Sequence, residues 1–95
     1  MHQKNIEILT IGTVVKLINN EKYFMIIGLG AFDSSDKNKF FDYAGCVYPE
    51  GIFDVEKNFL FNHKDIVEVI HFGYSNEEEK KFRKLLKEGF EKGIF

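Results

Sequence analysis

Thr13-Val14-Val15-Lys16-Leu17-Ile18, Asn19-Asn20-Glu21-Lys22 and Tyr23-Phe24-Met25-Ile26-Ile27-Gly28-Leu29 follow one another without a break and set the architecture of the chain. β-Branched and aromatic side chains fill both apolar runs, and a short polar turn joins them. That is the pattern of an antiparallel hairpin. The second run is apolar at nearly every position, so it needs cover on both faces and belongs in the middle of a sheet. Gly28 and Gly30 stand where a bulge or sharp bend would let that sheet curl.

Working outward, Asp33-Ser34-Ser35-Asp36-Lys37-Asn38-Lys39 reads as a polar loop, and Phe40 to Val47 as a third strand. Tyr48-Pro49-Glu50-Gly51 has Pro and Gly at the second and fourth positions of a type I turn. Phe59-Leu60-Phe61 predicts a short strand or edge segment, Asn62-His63-Lys64-Asp65 a capped turn, and Ile66 to Phe72 a last strand. These elements make a β-rich body over residues 6–74.

A helix follows over residues 75–92. Ser75 and Glu78 fit a capping box, which makes Ser75 the N-cap. Phe82, Leu85, Leu86 and Phe90 repeat at helical spacing and predict one apolar stripe docked on the sheet. Gly93 stops the helix, and Ile94-Phe95 lies beyond it. Short antiparallel strands with one terminal helix give an α+β class: a single domain, 1–95. The economical architecture is a strongly bent antiparallel sheet or SH3-like partial barrel of about five strands, because closure would hide the edges of Phe-rich strands.

The 95 residues suffice for one core. There are 11 Phe, 4 Tyr and no Trp, 16% aromatic, a composition incompatible with disorder. With 13 basic and 15 acidic residues the net charge is -2, without the basic excess on which nucleic-acid affinity depends. The single cysteine excludes an internal disulfide and favours a reducing compartment. Met1-His2-Gln3-Lys4-Asn5 does not open a signal peptide, and no apolar run reaches the ~20 residues of a membrane helix. A cytoplasmic protein without membrane insertion is expected.

Catalytic readings are poorly supported. Cys46, His63 or His71, and Asp65 are the right residue types for a nucleophilic site, but nothing around Cys46 forms a signature, and a lone Cys in an apolar strand is a small buried hydrophobe. Asp33, Asp36 and Asn38 lack the spacing of a calcium loop, and the histidines have no zinc spacing with Cys46. Gly28-Leu29-Gly30 is too short for a dinucleotide fingerprint. No cofactor, metal or catalytic residue is expected. Phe40, Phe41, Tyr43 and Tyr48 crowd one strand and its turn beside Asp42 and Glu50. They are either core rings or a protein-binding groove.

Ile11-Gly12-Thr13-Val14-Val15, Phe24-Met25-Ile26-Ile27-Gly28, the run from Asp42 through Tyr48-Pro49-Glu50-Gly51, Phe61-Asn62-His63-Lys64-Asp65-Ile66-Val67-Glu68-Val69 and Gly73-Tyr74 together resemble domain of unknown function 4176. The resemblance covers about residues 8–90. Thr10 departs from it, standing where the family often has Pro. It implies a small cytosolic accessory protein of type VII secretion loci in Gram-positive bacteria, without enzymatic activity. Such a protein would act as chaperone or targeting adaptor for an LXG-type toxin, binding the toxin's N-terminal helical domain. An immunity protein and a generic SH3-like interaction module are the alternatives, and self-association is left open. The partner contacts are expected at Tyr43, Tyr48, Pro49, Glu50 and Gly51, with Phe61, Asn62, His63 and Asp65 beside them. Glu50 and Asp65 would pair with basic residues of the partner or cap its helix. Turn formation and core packing are the competing roles for the same side chains.

Overall fold

A computed structural model describes residues 7–33, 35–54 and 58–93; the expectations on Met1–Asn5, Ser34 and Ile94-Phe95 lie outside them. The strands are β1 (Val14–Leu17), β2 (Tyr23–Asp33), β3 (Asp36–Tyr48), β4 (Phe59–Phe61) and β5 (Ile66–His71), and the helix α1 spans Glu77–Glu91. They form an antiparallel five-stranded sheet of order β4-β3-β2-β1-β5 with a helix after it, an α+β fold. Strand β2, apolar from Tyr23 to Phe32, is the middle strand, as its composition requires. Phe24 and Ile26 are buried, while Met25 and Ile27 on the other face are half-buried.

The sheet is open, with β4 and β5 as its edges, and it does not close into a barrel. It is nevertheless curled. Only residues 62–65 separate β4 from β5, and a 3-10 turn, His63–Asp65, lies among them. Such a link reaches roughly 13 Å, whereas the edges of a flat five-stranded sheet lie about 19 Å apart. Curvature must make up the difference. The register of β2 against β3 shifts between Ile26 and Gly28, so a bulge falls where the glycines suggested it. Gly30 adopts φ +71, and a Cβ there would stand 3.2 Å from the Phe40 ring and 3.5 Å from that of Phe90.

Three local expectations are corrected. The polar segment at 36–39 is strand, because Asp33 pairs with Asp36 and a hairpin tip with solvent on both faces tolerates polar side chains. Asp33 braces that tip by accepting Ser35 N–H at 2.9 Å and the Ser35 hydroxyl at 2.7 Å. These bonds hold its carboxyl below the usual range. The turn after β3 is not type I: the Tyr48–Pro49 peptide is cis, and Gly51 N–H reaches back to Val47 C=O at 2.8 Å. The helix N-cap is Asn76 rather than Ser75. The Asn76 side chain accepts Glu79 N–H at 2.8 Å, and the Ser75 hydroxyl binds the Glu79 carboxylate at 2.6 Å.

The helix is also turned from its expected seating. Leu86 and Phe90 are buried in the core, but Phe82 is 53% and Leu85 67% exposed. Residues 79, 83, 86 and 90 share a face at 3.6 residues per turn. Two polar residues occupy the first half of that face as an ion pair between Arg83 and Glu79. Arg83 Nη1 also donates to Ile8 C=O at 2.8 Å, which ties the segment before β1 to the helix. Ile8 and Leu9 join Val15, Leu17, Phe24, Ile26, Tyr43, Phe61, Leu86 and Phe90 in one core.

Candidate functional site

The candidate site residues divide into a buried knot and an exposed edge. Tyr43 is fully buried and Phe61 only 3% exposed, their rings 5.6 Å apart. Both belong to the core, so neither offers a partner surface. They face inward because Tyr43 and Phe61 are paired across β3 and β4, on the side that packs against the body.

The Tyr43 hydroxyl ends in a polar cluster. It accepts Leu9 N–H at 3.1 Å and lies 2.8 Å from His63 Nδ1. Next to it, Asp42 N–H donates to Asn62 Oδ1 and His63 N–H donates to Asp42 Oδ2, each at 2.9 Å. Asp65 Oδ2 accepts Asn62 N–H, and Asp65 C=O accepts Ile18 N–H, also at 2.9 Å. The capped turn is therefore structural, with Asn62, His63 and Asp65 fastening the β4–β5 connection to β3 and to the end of β1. Asp65 and Asn62 spend these hydrogen-bonding groups within the fold.

Burial pushes the Tyr43 phenol up to about 12, and the nearby Asp42 charge acts in the same direction against the Leu9 N–H bond. A folded value above the unfolded one means stability present below pH ~10 and lost as pH rises toward about 12. Absorbance titration of tyrosinate should show a component near pH 12 that Tyr43→Phe removes. Its persistence in that variant would contradict the assignment.

The exposed edge holds Tyr48 (48% exposed), Pro49 and Glu50, with Gly51 half-buried beneath. Glu50 is engaged with Lys22 at 2.5 Å, and that bond lowers its carboxyl below the usual range. Its charge is thus answered within the chain, across the end of the β2–β3 ladder. Ile52, Phe53 and Phe59 continue the apolar edge, 50%, 78% and 44% exposed. Sequence reasoning missed Ile52 and Phe53; an apolar pair directly after a Gly turn was the available signal. They border a slot of about 10 Å³ beside Cys46, room for one water. Cys46 itself is a free, buried thiol in β3, as its apolar surroundings suggested. His71 is exposed.

Among the described residues, no group of three or more His, Cys, Asp or Glu is placed to hold a metal ion, and no helix is long and apolar enough to cross a membrane. No curated protein and no solved structure matches the chain. A family model described as a domain of unknown function matches residues 8–82, from the buried Ile8-Leu9 segment into the first turns of α1. The chain belongs to the DUF4176 family.

Proposed function

We propose that this protein is a non-enzymatic, cytosolic accessory protein that binds an LXG-type toxin, as chaperone or targeting adaptor, before type VII secretion. The observation that carries the reading is the apolar edge formed by Tyr48, Ile52, Phe53 and Phe59. β4 pairs with Tyr43–Gly45 of β3, and among the described residues Cys46–Tyr48 have no strand partner on that side. Exposed rings beside a free strand edge suit a protein partner, with Tyr and Phe as anchors. The toxin and the secretion pathway come from the family resemblance; the surface itself supports only protein binding.

Co-expression with the toxin's N-terminal helical domain tests this. The two should co-purify, and Phe53→Asp should abolish capture while the circular dichroism spectrum stays unchanged. Failure to co-purify at every salt concentration tried would sink the adaptor reading. Capture of the C-terminal catalytic domain instead, with protection of cells, would make the protein an immunity factor.

A further inference from the structure

Of the acids expected to meet a partner, Glu50 pairs with Lys22 at the surface and Asp65 accepts Asn62 N–H. A separate, locally cationic surface lies on α1. A cleft of about 210 Å³ runs between residues 7–8 and α1, lined by Glu7, Ile8, Lys80, Arg83, Lys84 and Lys87. Lys80, Lys84 and Lys87 fall at i, i+4 and i+7 and share one helix flank. Arg83 is committed to Ile8 C=O and to Glu79, so it fixes the floor of the cleft. Lys80 has only a loose contact with Glu77, at 3.7 Å and 60% side-chain exposure. Among the described residues, Lys84 and Lys87 have no ion-pair partner.

We infer that this cleft is a docking surface for an acidic segment of a protein partner, whose Asp or Glu side chains pair with Lys84, Lys87 and Lys80. Charge complementarity carries the inference: with Arg83 paired to Glu79, three lysines line the cleft and Glu7 is its one lining carboxylate besides. The net charge of -2 turns away an extended polyanion, so nucleic acid and anionic membrane fit less well than a short segment that meets only the local field. The volume is below the ~300 Å³ at which small-molecule pockets begin, which suits inserted side chains. That the acidic segment belongs to the toxin rests on the adaptor reading; the chemistry of the cleft does not.

Fluorescence anisotropy on the full chain tests the cleft with two labelled helical peptides, one carrying Glu along a face and one Lys at the same positions. The Glu peptide should bind, more weakly as salt rises. The double variant Lys84→Glu/Lys87→Glu should weaken that binding about tenfold or more and improve binding of the Lys peptide. A thermal melt checks that the variant is folded, since neither side chain is in the core. Equal binding of the two peptides, or no effect of the double variant, would overturn the inference. Displacement of the Glu peptide by equimolar inorganic phosphate would do so too, by making the cleft a free-anion site. Co-purification separates the two proposals. If the double variant still captures the toxin domain and Phe53→Asp does not, the cleft inference falls and the adaptor reading stands. If wild type captures no toxin domain but binds the Glu peptide, only the adaptor reading falls.

Discussion

Gly73→Ala should destabilise the protein by about 3 kcal/mol or more, a loss of overpacking and displaced-backbone type. A Cβ on Gly73 would lie 2.1 Å from Ile11 O, 2.8 Å from Gly12 C and 2.9 Å from Thr13 N. All three are backbone atoms, so no rotamer change relieves the clash. Gly73 N–H also donates to Thr13 Oγ1 at 3.0 Å, and Thr13 is fully buried beside Thr10, their hydroxyls 2.7 Å apart. Making room would peel the end of β5 from β1, where His71 pairs with Val14. At ~4 °C or more per kcal/mol for a domain of this size, the melting temperature should fall by roughly 12 °C. Gly93→Ala is the control. Gly93 has φ +72, and a Cβ added there would meet no atom of the described residues within 4 Å, so the cost is only the ~1–2 kcal/mol of a left-handed backbone. A Gly73→Ala midpoint in urea no lower than that of Gly93→Ala would refute the steric argument.

The second large effect separates two tyrosines five positions apart in β3. Tyr43→Ala should cost about 3–5 kcal/mol, the range for emptying a large buried ring. The truncation also strands the Leu9 N–H, which then lacks its buried acceptor. Tyr48→Ala, at a site 48% exposed, should change stability by no more than ~0.5 kcal/mol. Tyr43→Phe keeps the ring and loses the hydroxyl, for an intermediate loss of ~1–3 kcal/mol. Chemical denaturation of the three variants settles the order. Similar midpoints for Tyr43→Ala and Tyr48→Ala would mean that Tyr43 is not the core ring described. The order also governs how binding data are read: loss of a partner in Tyr43→Ala reports unfolding, whereas loss in a Tyr48 variant reports contact.

Most of the strand framework was legible because it rests on short-range pattern. The Thr13–Leu29 stretch carries its own turn, and its apolar continuity demands a central place, which β2 occupies. The helix was legible for the same reason, from caps and spacing. Its rotation was not. Periodicity groups Phe82, Leu85, Leu86 and Phe90, but the buried face is chosen by Arg83, which reaches Ile8 across 75 positions of sequence. The polar end of β3 escaped notice because ladder pairing is a backbone property, and a hairpin clear of the core places no demand on side-chain polarity.

The candidate site was half legible. The local capping pattern identified Asn62 to Asp65 as a turn, yet its partners Asp42 and Tyr43 lie 20 and 21 positions away. No spacing rule connects them. From the sequence alone came the class, the central hairpin, the buried Cys46, the helix and a surplus of aromatic rings. Which rings are core and which are surface was decided only when the sheet curled and the connection after β4 folded onto β3. That curl turns Tyr43 and Phe61 inward and leaves Tyr48, Phe53 and Phe59 at an open edge. The reason is physical: alternation along a strand assigns side chains to two faces, but only tertiary packing decides which face the rest of the chain covers.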